Sequence, residues 1–233
     1  MEITSINAGI LASGGGTDAN AIMSAYKIGF MPEVAEIRLI STKDGAGCLD
    51  KAEKQHIMNI VIECTGKPDV TDFNQRLSKY VHDNDIMLLI LAGCIWEIYP
   101  IEGVLIINIH PADTKKHGGR HMYGLKVHER VLSDIMDIVY REIQKPEDNF
   151  ETCVIVHEVG FPIDQGPIIM SAPVNIPKEI IIGLHREVLS LKDAAVKLQQ
   201  HVLEYEWIFL PAAVRAAARK IIDNKMQVTN KLS

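Results

Sequence analysis

Short apolar runs that alternate with stretches of helical periodicity constrain this chain more than any other feature. The runs lie at Ile6–Ala12, 36–40, 57–63, Ile86–Leu91 and 104–110. Ile86–Leu91 is apolar at every position, as a parallel strand covered on both faces must be. Between the runs, apolar residues return at helical spacing: Leu49 and Ala52 within 48–56, then Phe73, Leu77 and Tyr80 in a helix opened by Thr71. Strands that alternate with helices build a sheet whose crossovers cover both faces. The expected fold class is therefore α/β, a doubly wound, mostly parallel sheet.

Beyond residue 111 the pattern changes. Residues 112–123 are rich in Lys, His and Gly and read as a mobile loop, followed by a long helix over 125–143 with Val127, Val131, Ile135 and Ile138 inward. Residues 153–159 and 168–174 read as two strands of an antiparallel hairpin around a tight 160–167 loop, and 184–227 as C-terminal helices broken near Pro211. A frayed tail over 229–233 is expected. No repeat, low-complexity segment or linker interrupts the 233 residues, so one domain spanning 1–233 is expected, with 47% apolar residues to fill its core.

The formal charge of −6 is spread along the chain. Its only compact basic patch, Lys115, Lys116 and His117 with Arg120, is short, which disfavours nucleic acid as a partner. No apolar run approaches the roughly 18–20 residues that span a bilayer, and the N-terminus lacks a signal pattern, so a soluble cytoplasmic protein is expected, with no membrane partner. Cys48, Cys64, Cys94 and Cys153 are scattered, against a disulfide framework or a structural zinc site. His117, His121 and His128 match no standard ligand spacing, so no metal is expected. Small-molecule substrates are the expected partners of a monomer or homodimer.

Three segments at strand ends carry candidate chemistry. After the first strand come Ser13-Gly14-Gly15-Gly16-Thr17-Asp18, then a helix through Tyr26. Glycines bring backbone N–H groups close to an anion, and the helix start adds unpaired amides, so a phosphate could dock. A simple tight turn reads equally well, and the Asp18 carboxylate would repel an anion. The loop fails the G-x-G-x-x-G dinucleotide fingerprint, and no acidic residue follows cleanly at the end of the second strand, which argues against a dinucleotide oxidoreductase.

The second segment follows Leu91, and the third is the end of the 104–110 run, where Asn108 and His110 stand two residues apart. On an extended segment they point to one side. An amide can donate to a developing oxyanion and an imidazole can exchange a proton near neutral pH, which suits acyl-type chemistry. Local turn contacts at a strand end are the competing reading. Parallel sheets bind ligands beyond the carboxyl ends of their strands, where all three segments fall. Asp164, on the hairpin loop, becomes interesting if that loop folds over His110; otherwise it is a turn residue.

The residues resemble the formyltransferase family that uses 10-formyltetrahydrofolate, and within it the branch that acts on glycinamide ribonucleotide in purine synthesis. The resemblance covers most of the chain. Its markers are Ser13 to Ile22 after the first strand, Leu91-Ala92-Gly93, Asn108-Ile109-His110-Pro111, Gly119-Arg120-His121, and His157 seven residues before Asp164-Gln165-Gly166-Pro167. Glu206-Trp207-Ile208-Phe209-Leu210-Pro211 resembles a Glu-His-x-x-Tyr-Pro segment with Trp207 and Leu210 substituted.

The resemblance implies a Rossmann-like formyltransferase fold and a catalytic set of Asn108, His110 and Asp164. Asn108 and the His110 imidazolium would hold the tetrahedral oxyanion formed when an amine attacks the formyl carbon. Asp164 would orient His110 and assist proton transfer, with His121 and His157 in support. Gly14, Gly15, Gly16, Thr17 and Asp18 would lie at the nucleotide phosphate, and Glu206 at the substrate's sugar. Cys94, Ile95, Trp96 and Ile98, with Phe161 and Ile163, would grip the pterin of 10-formyltetrahydrofolate, the expected co-substrate.

Several positions depart from the family pattern. Ala112-Asp113-Thr114-Lys115 replaces the usual residues after His-Pro, Asp18 replaces an Asn, and Leu203 stands where some relatives are polar or basic. Trp96 replaces an Arg, Phe161-Pro162 replaces acidic residues, and the region 130–150 is longer. These point to retained formyl-transfer chemistry on glycinamide ribonucleotide or a related small amine. A hydrolase of the same cofactor and a non-catalytic ligand-binding relative are the alternatives.

Overall fold

The computed structural model describes residues 4–66 and 69–232, with side chains as far as Gln227. The chain divides into two compact units, Met1–Asn108 with Leu210–Ser233, and Ile109–Phe209.

The first unit begins β1 (Ile6–Ala12), α1 (Thr17–Lys27), β2 (Val34–Ser41), α2 (Gly47–Lys54), β3 (Met58–Val61), α3 (Val70–Asp83), β4 (Ile86–Leu91) and β5 (Leu105–His110), whose last two residues belong to the second unit. These strands run parallel in the order β3-β2-β1-β4-β5. The chain thus winds outward from β1 to β3, then returns to the other side of β1 for β4 and β5. That reversal creates a topological switch point at the carboxyl ends of β1 and β4, where open α/β sheets hold ligands.

Ile10 and Leu11 on β1, Leu39 and Ile40 on β2, and Leu88, Leu89 and Ile90 on β4 are all fully buried. Burial on consecutive residues means that both faces are covered, as the apolar runs require. Helix α3 turns Phe73, Leu77 and Val81 inward, whereas the expected Tyr80 lies half-buried. Four residues on from Leu77 is the position that repeats the helix face.

The second unit holds α4 (Thr114–His117), α5 (Leu125–Tyr140), β6 (Phe150–Glu158), β7 (Ile168–Ile176), α6 (Lys178–His185) and the start of α7 (Leu191–Leu232). Strands β6 and β7 pair antiparallel from Phe150↔Ile176 to His157↔Ile168. Val127, Val131, Ile135 and Val139 of α5 pack in one core with Val154, Val174, Ile181 and Leu198. Val139 takes the inward place expected of Ile138. The α/β class, with parallel strands, an antiparallel hairpin and C-terminal helices, is as expected.

Three local expectations are corrected. The 112–123 segment contains a helical turn, α4, whose Asp113 carboxylate accepts the Lys115 N–H at 3.0 Å and caps it. Helix α6 precedes the expected helical start at 184; its run Ile180-Ile181-Ile182 is β-branched and masks a helix at the level of propensity. Helix α7 passes through Pro211 without the expected break and continues to Leu232. Proline lacks one N–H, but the turns on either side keep their own bonds. Ser233, at the end of the expected frayed tail, lies outside the described residues.

Candidate active site

In the first unit, the loop after β1 is held by hydrogen bonds from α2 and from Thr42, just past β2. The Cys48 N–H donates to Gly14 O at 3.1 Å, and Lys51 Nζ donates to Gly15 O at 2.7 Å. Thr42 Oγ1 donates to Ser13 Oγ at 2.8 Å. Gly16 caps α1 with φ of 67°, and a Cβ there would lie 2.4 Å from Cβ of Cys48. Glycine at 16 is thus demanded by chain packing, whatever the loop binds. Gly14 and Gly15 are exposed, with nothing within 4 Å of a Cβ added at either, so their backbone is open to a ligand. Thr17 is exposed and Asp18 is buried in the first turn of α1. Lys51 was not singled out in the sequence; nothing in its spacing marks it, because only the packing of α2 brings an ammonium to the loop.

At the end of β4, Cys94 comes within reach of Ser13, so the two sides of the switch point meet. Burial pushes the Cys94 thiol up to about 11, which keeps it protonated and unreactive. Asn108 is paired in register with Leu91 at the end of β5 and is half-buried.

The second unit gathers four buried histidines: His110, His117, His128 and His157. His110 Nε2 lies 2.9 Å from the backbone carbonyl of His117. A carbonyl only accepts, so this nitrogen carries the ring proton, and Nδ1 is left bare, 3.9 Å from Asp164 Oδ2. His157 repeats the arrangement. Its Nδ1 donates to the Glu158 carbonyl at 2.9 Å, which leaves Nε2 facing Asp164 Oδ1 at 3.5 Å. One carboxylate therefore stands between two imidazole nitrogens that carry no proton, Nδ1 of His110 and Nε2 of His157.

Asp164 is held there by its own turn. Its φ is 60°, a left-handed conformation that aspartate tolerates better than most residues, and Gly119 N–H donates to its Oδ2 at 2.9 Å. The hairpin loop therefore does fold over His110. Burial holds His110 below the usual imidazole range, against the opposing pull of Asp164, so it is neutral at pH 7. His128 is pushed down to about 4 by burial and then by the proximity of His110. His121 is exposed, with φ of 70°.

No family model matches the chain. Solved structures do. Glycinamide ribonucleotide transformylase 1 from Symbiobacterium toebii is 23% identical over 93% of this chain and 89% of its own, with a TM-score of 0.68. Phosphoribosylglycinamide formyltransferase from Bacillus halodurans is 26% identical over 90% and 93% respectively, with a TM-score of 0.64. The enzyme of that name from Brucella melitensis is 25% identical over 92% and 96%, with a TM-score of 0.65. The fold of this chain is similar to that of these formyltransferases.

On the formyltransferase fold, the segments expected to hold folate differ in what they expose. After β4, Ile95 is 58% exposed, Trp96 is half-buried and Ile98 is buried in the core. Phe161 is 67% exposed on the loop that carries Asp164, with Ile163 half-buried beside it. Glu206 is buried in α7 and Leu203 is half-buried one turn before it. Among the described residues no group of three or more His, Cys, Asp or Glu is arranged to hold a metal, and no helix is long and apolar enough to cross a membrane.

Proposed function

We propose that this chain transfers a formyl group from 10-formyltetrahydrofolate to the amine of glycinamide ribonucleotide or a related small amine, as a step of purine biosynthesis. The observation that carries this reading is the buried His110–Asp164–His157 set, with a bare imidazole nitrogen aimed at a fixed carboxylate, on a formyltransferase fold. The three structural relatives are named for glycinamide ribonucleotide as acceptor. Gly14 and Gly15, backed by Lys51, offer open backbone and one cation to a phosphate-bearing acceptor.

The folate supplies the formyl carbon and the leaving nitrogen. Asn108 donates its amide hydrogens to the formyl oxygen as negative charge develops there. Neutral His110 takes one proton from the attacking amine at Nδ1, and the new N–H then points at the Asp164 carboxylate, which stabilises the imidazolium. Returning that proton to the departing folate nitrogen restores neutral His110. The balance is one C–N bond formed, one broken and one proton shuttled, with formamide and tetrahydrofolate as products.

The assay is formyl transfer from 10-formyltetrahydrofolate to glycinamide ribonucleotide by the full-length chain. Turnover abolished by His110→Ala is the expected result. Formate release without any amine would move the assignment to a hydrolase. Absence of folate binding by calorimetry would move it to a non-catalytic ligand-binding relative.

A further inference from the structure

The residues between His110 and Asp164 in the chain form a two-point clamp on both. The His117 carbonyl accepts from His110 Nε2 at 2.9 Å, and two residues later the Gly119 N–H donates to Asp164 Oδ2 at 2.9 Å. Gly118, between them, has no room for a side chain: a Cβ would lie 2.4 Å from Thr114 O and 3.0 Å from Asp164 Cβ. Three consecutive residues thus fix which nitrogen of His110 bears the proton and where the carboxylate stands.

The clamp is itself anchored. α4 enters it through bonds from His117 N–H to Asp113 O, at 2.8 Å, and from Gly118 N–H to Thr114 O, at 3.1 Å. At the other side the His117 ring is buried and its Nε2 meets Asp134 Oδ2 on α5 at 3.1 Å, while Arg130 Nε holds Asp134 Oδ1 at 3.2 Å. A carboxylate accepts only, so His117 carries its ring proton at Nε2, and its Nδ1 is buried without a hydrogen-bond partner. A ring that gives up one buried nitrogen to reach Asp134 is there for position, because local contacts alone would not require it.

We propose that His117 and Asp134 are positioning residues for the reaction: their side-chain bond seats the 117–119 clamp, which holds His110 as the Nε2–H tautomer with Nδ1 free to take a proton beside Asp164. Outer partners that fix a histidine's tautomer are a general device at reactive sites. The kinetic part rests on the formyl-transfer reading above; the tautomer part does not.

The test combines proton-detected ¹⁵N-histidine spectra of the full chain with formyl-transfer kinetics. The wild type should show a single protected Nε2–H for His110, identified by its loss in His110→Asn. Asp134→Ala and His117→Phe should each replace that signal with a tautomer average and lower kcat on the order of 100-fold, KM changing little. Asp134→Asn keeps an acceptor for His117 Nε2–H and should restore both readouts to within a few-fold of wild type. Two breaking variants on different elements, each checked for a folded near-ultraviolet spectrum, separate mispositioning from failure to fold. An unchanged His110 signal and kcat in both breaking variants overturns the proposal, as does a loss of kcat with the tautomer intact. If the wild type transfers no formyl group yet the breaking variants lose the tautomer, the clamp stands and the functional reading falls.

Discussion

Asn108 and His110 stand two residues apart on one strand, yet their demands on the structure differ. Asn108 needs only its amide at the strand end, half-buried and in register with Leu91. In the proposed reaction Asn108 is an oxyanion donor, and losing one such donor typically slows a reaction about 10²–10³-fold. Asn108→Ala should therefore lower kcat by that order, with KM for folate nearly unchanged, in steady-state assays. His110 in contrast depends on groups from β5, the α4 turn and the hairpin loop, and none of its bonds is visible in the Asn-x-His-Pro motif. Gly118→Ala probes the tightest of these approaches. It should lower thermal stability as the new methyl displaces Thr114 O, and it should slow turnover more than its stability loss explains.

At the scale of elements, the β6–β7 hairpin delivers Asp164 because the loop between its strands folds back on itself. Glu158 N–H donates to Pro167 O at 2.9 Å, and a Cβ on Gly166 would meet the Glu158 carbonyl at 1.8 Å. Gly166→Ala is expected to open this end of the hairpin. Hydrogen exchange should rise over 158–168 while β1 and β4 stay protected, and formyl transfer should fall at least tenfold on the order expected for a displaced carboxylate. The strands themselves were legible from alternating and continuous apolar runs. Helix α6 was not, because Ile180, Ile181 and Ile182 favour a strand locally and only the burial of Ile180 and Ile181 in the α5 core makes the run helical. Helix α7 likewise outlasts its proline because one missing N–H is a small loss among 42 residues.

For the whole molecule, acid sensitivity follows from the buried histidines. Folding pulls His128 from an ordinary 6.5 to about 4, so between those values the unfolded chain binds a proton that the folded one refuses. Stability therefore rises with pH across that window, and is lost as pH falls from 6.5 toward 4, by up to about 3 kcal/mol from this group. His110 is shifted in the same direction and adds to the loss. Urea unfolding at pH 7 and pH 5 should show this slope, and His128→Gln should flatten it. In the first unit, burial works against Glu33, but its backbone bond and the Arg219 and Arg215 guanidiniums more than offset it and hold the carboxyl below the usual range. That contribution is present above the ordinary carboxylate pKa and fades as pH drops through the lowered one, so Glu33→Gln should reduce stability at neutral pH and leave it unchanged in strong acid.

By itself the sequence determined the α/β class and put Asn108 and His110 forward as candidates at a strand end, since apolar periodicity and reactive residue types are local properties of the chain; Asp164 alone read as a turn residue, and only the family resemblance paired it with His110. The tertiary structure decided what those side chains can do. The neutral state of His110, its tautomer, the second imidazole facing Asp164, the Lys51 ammonium at the glycine loop and the His117–Asp134 anchor all arise between residues up to tens of positions apart. Desolvation and hydrogen-bond geometry set them, and both exist only once the chain has folded.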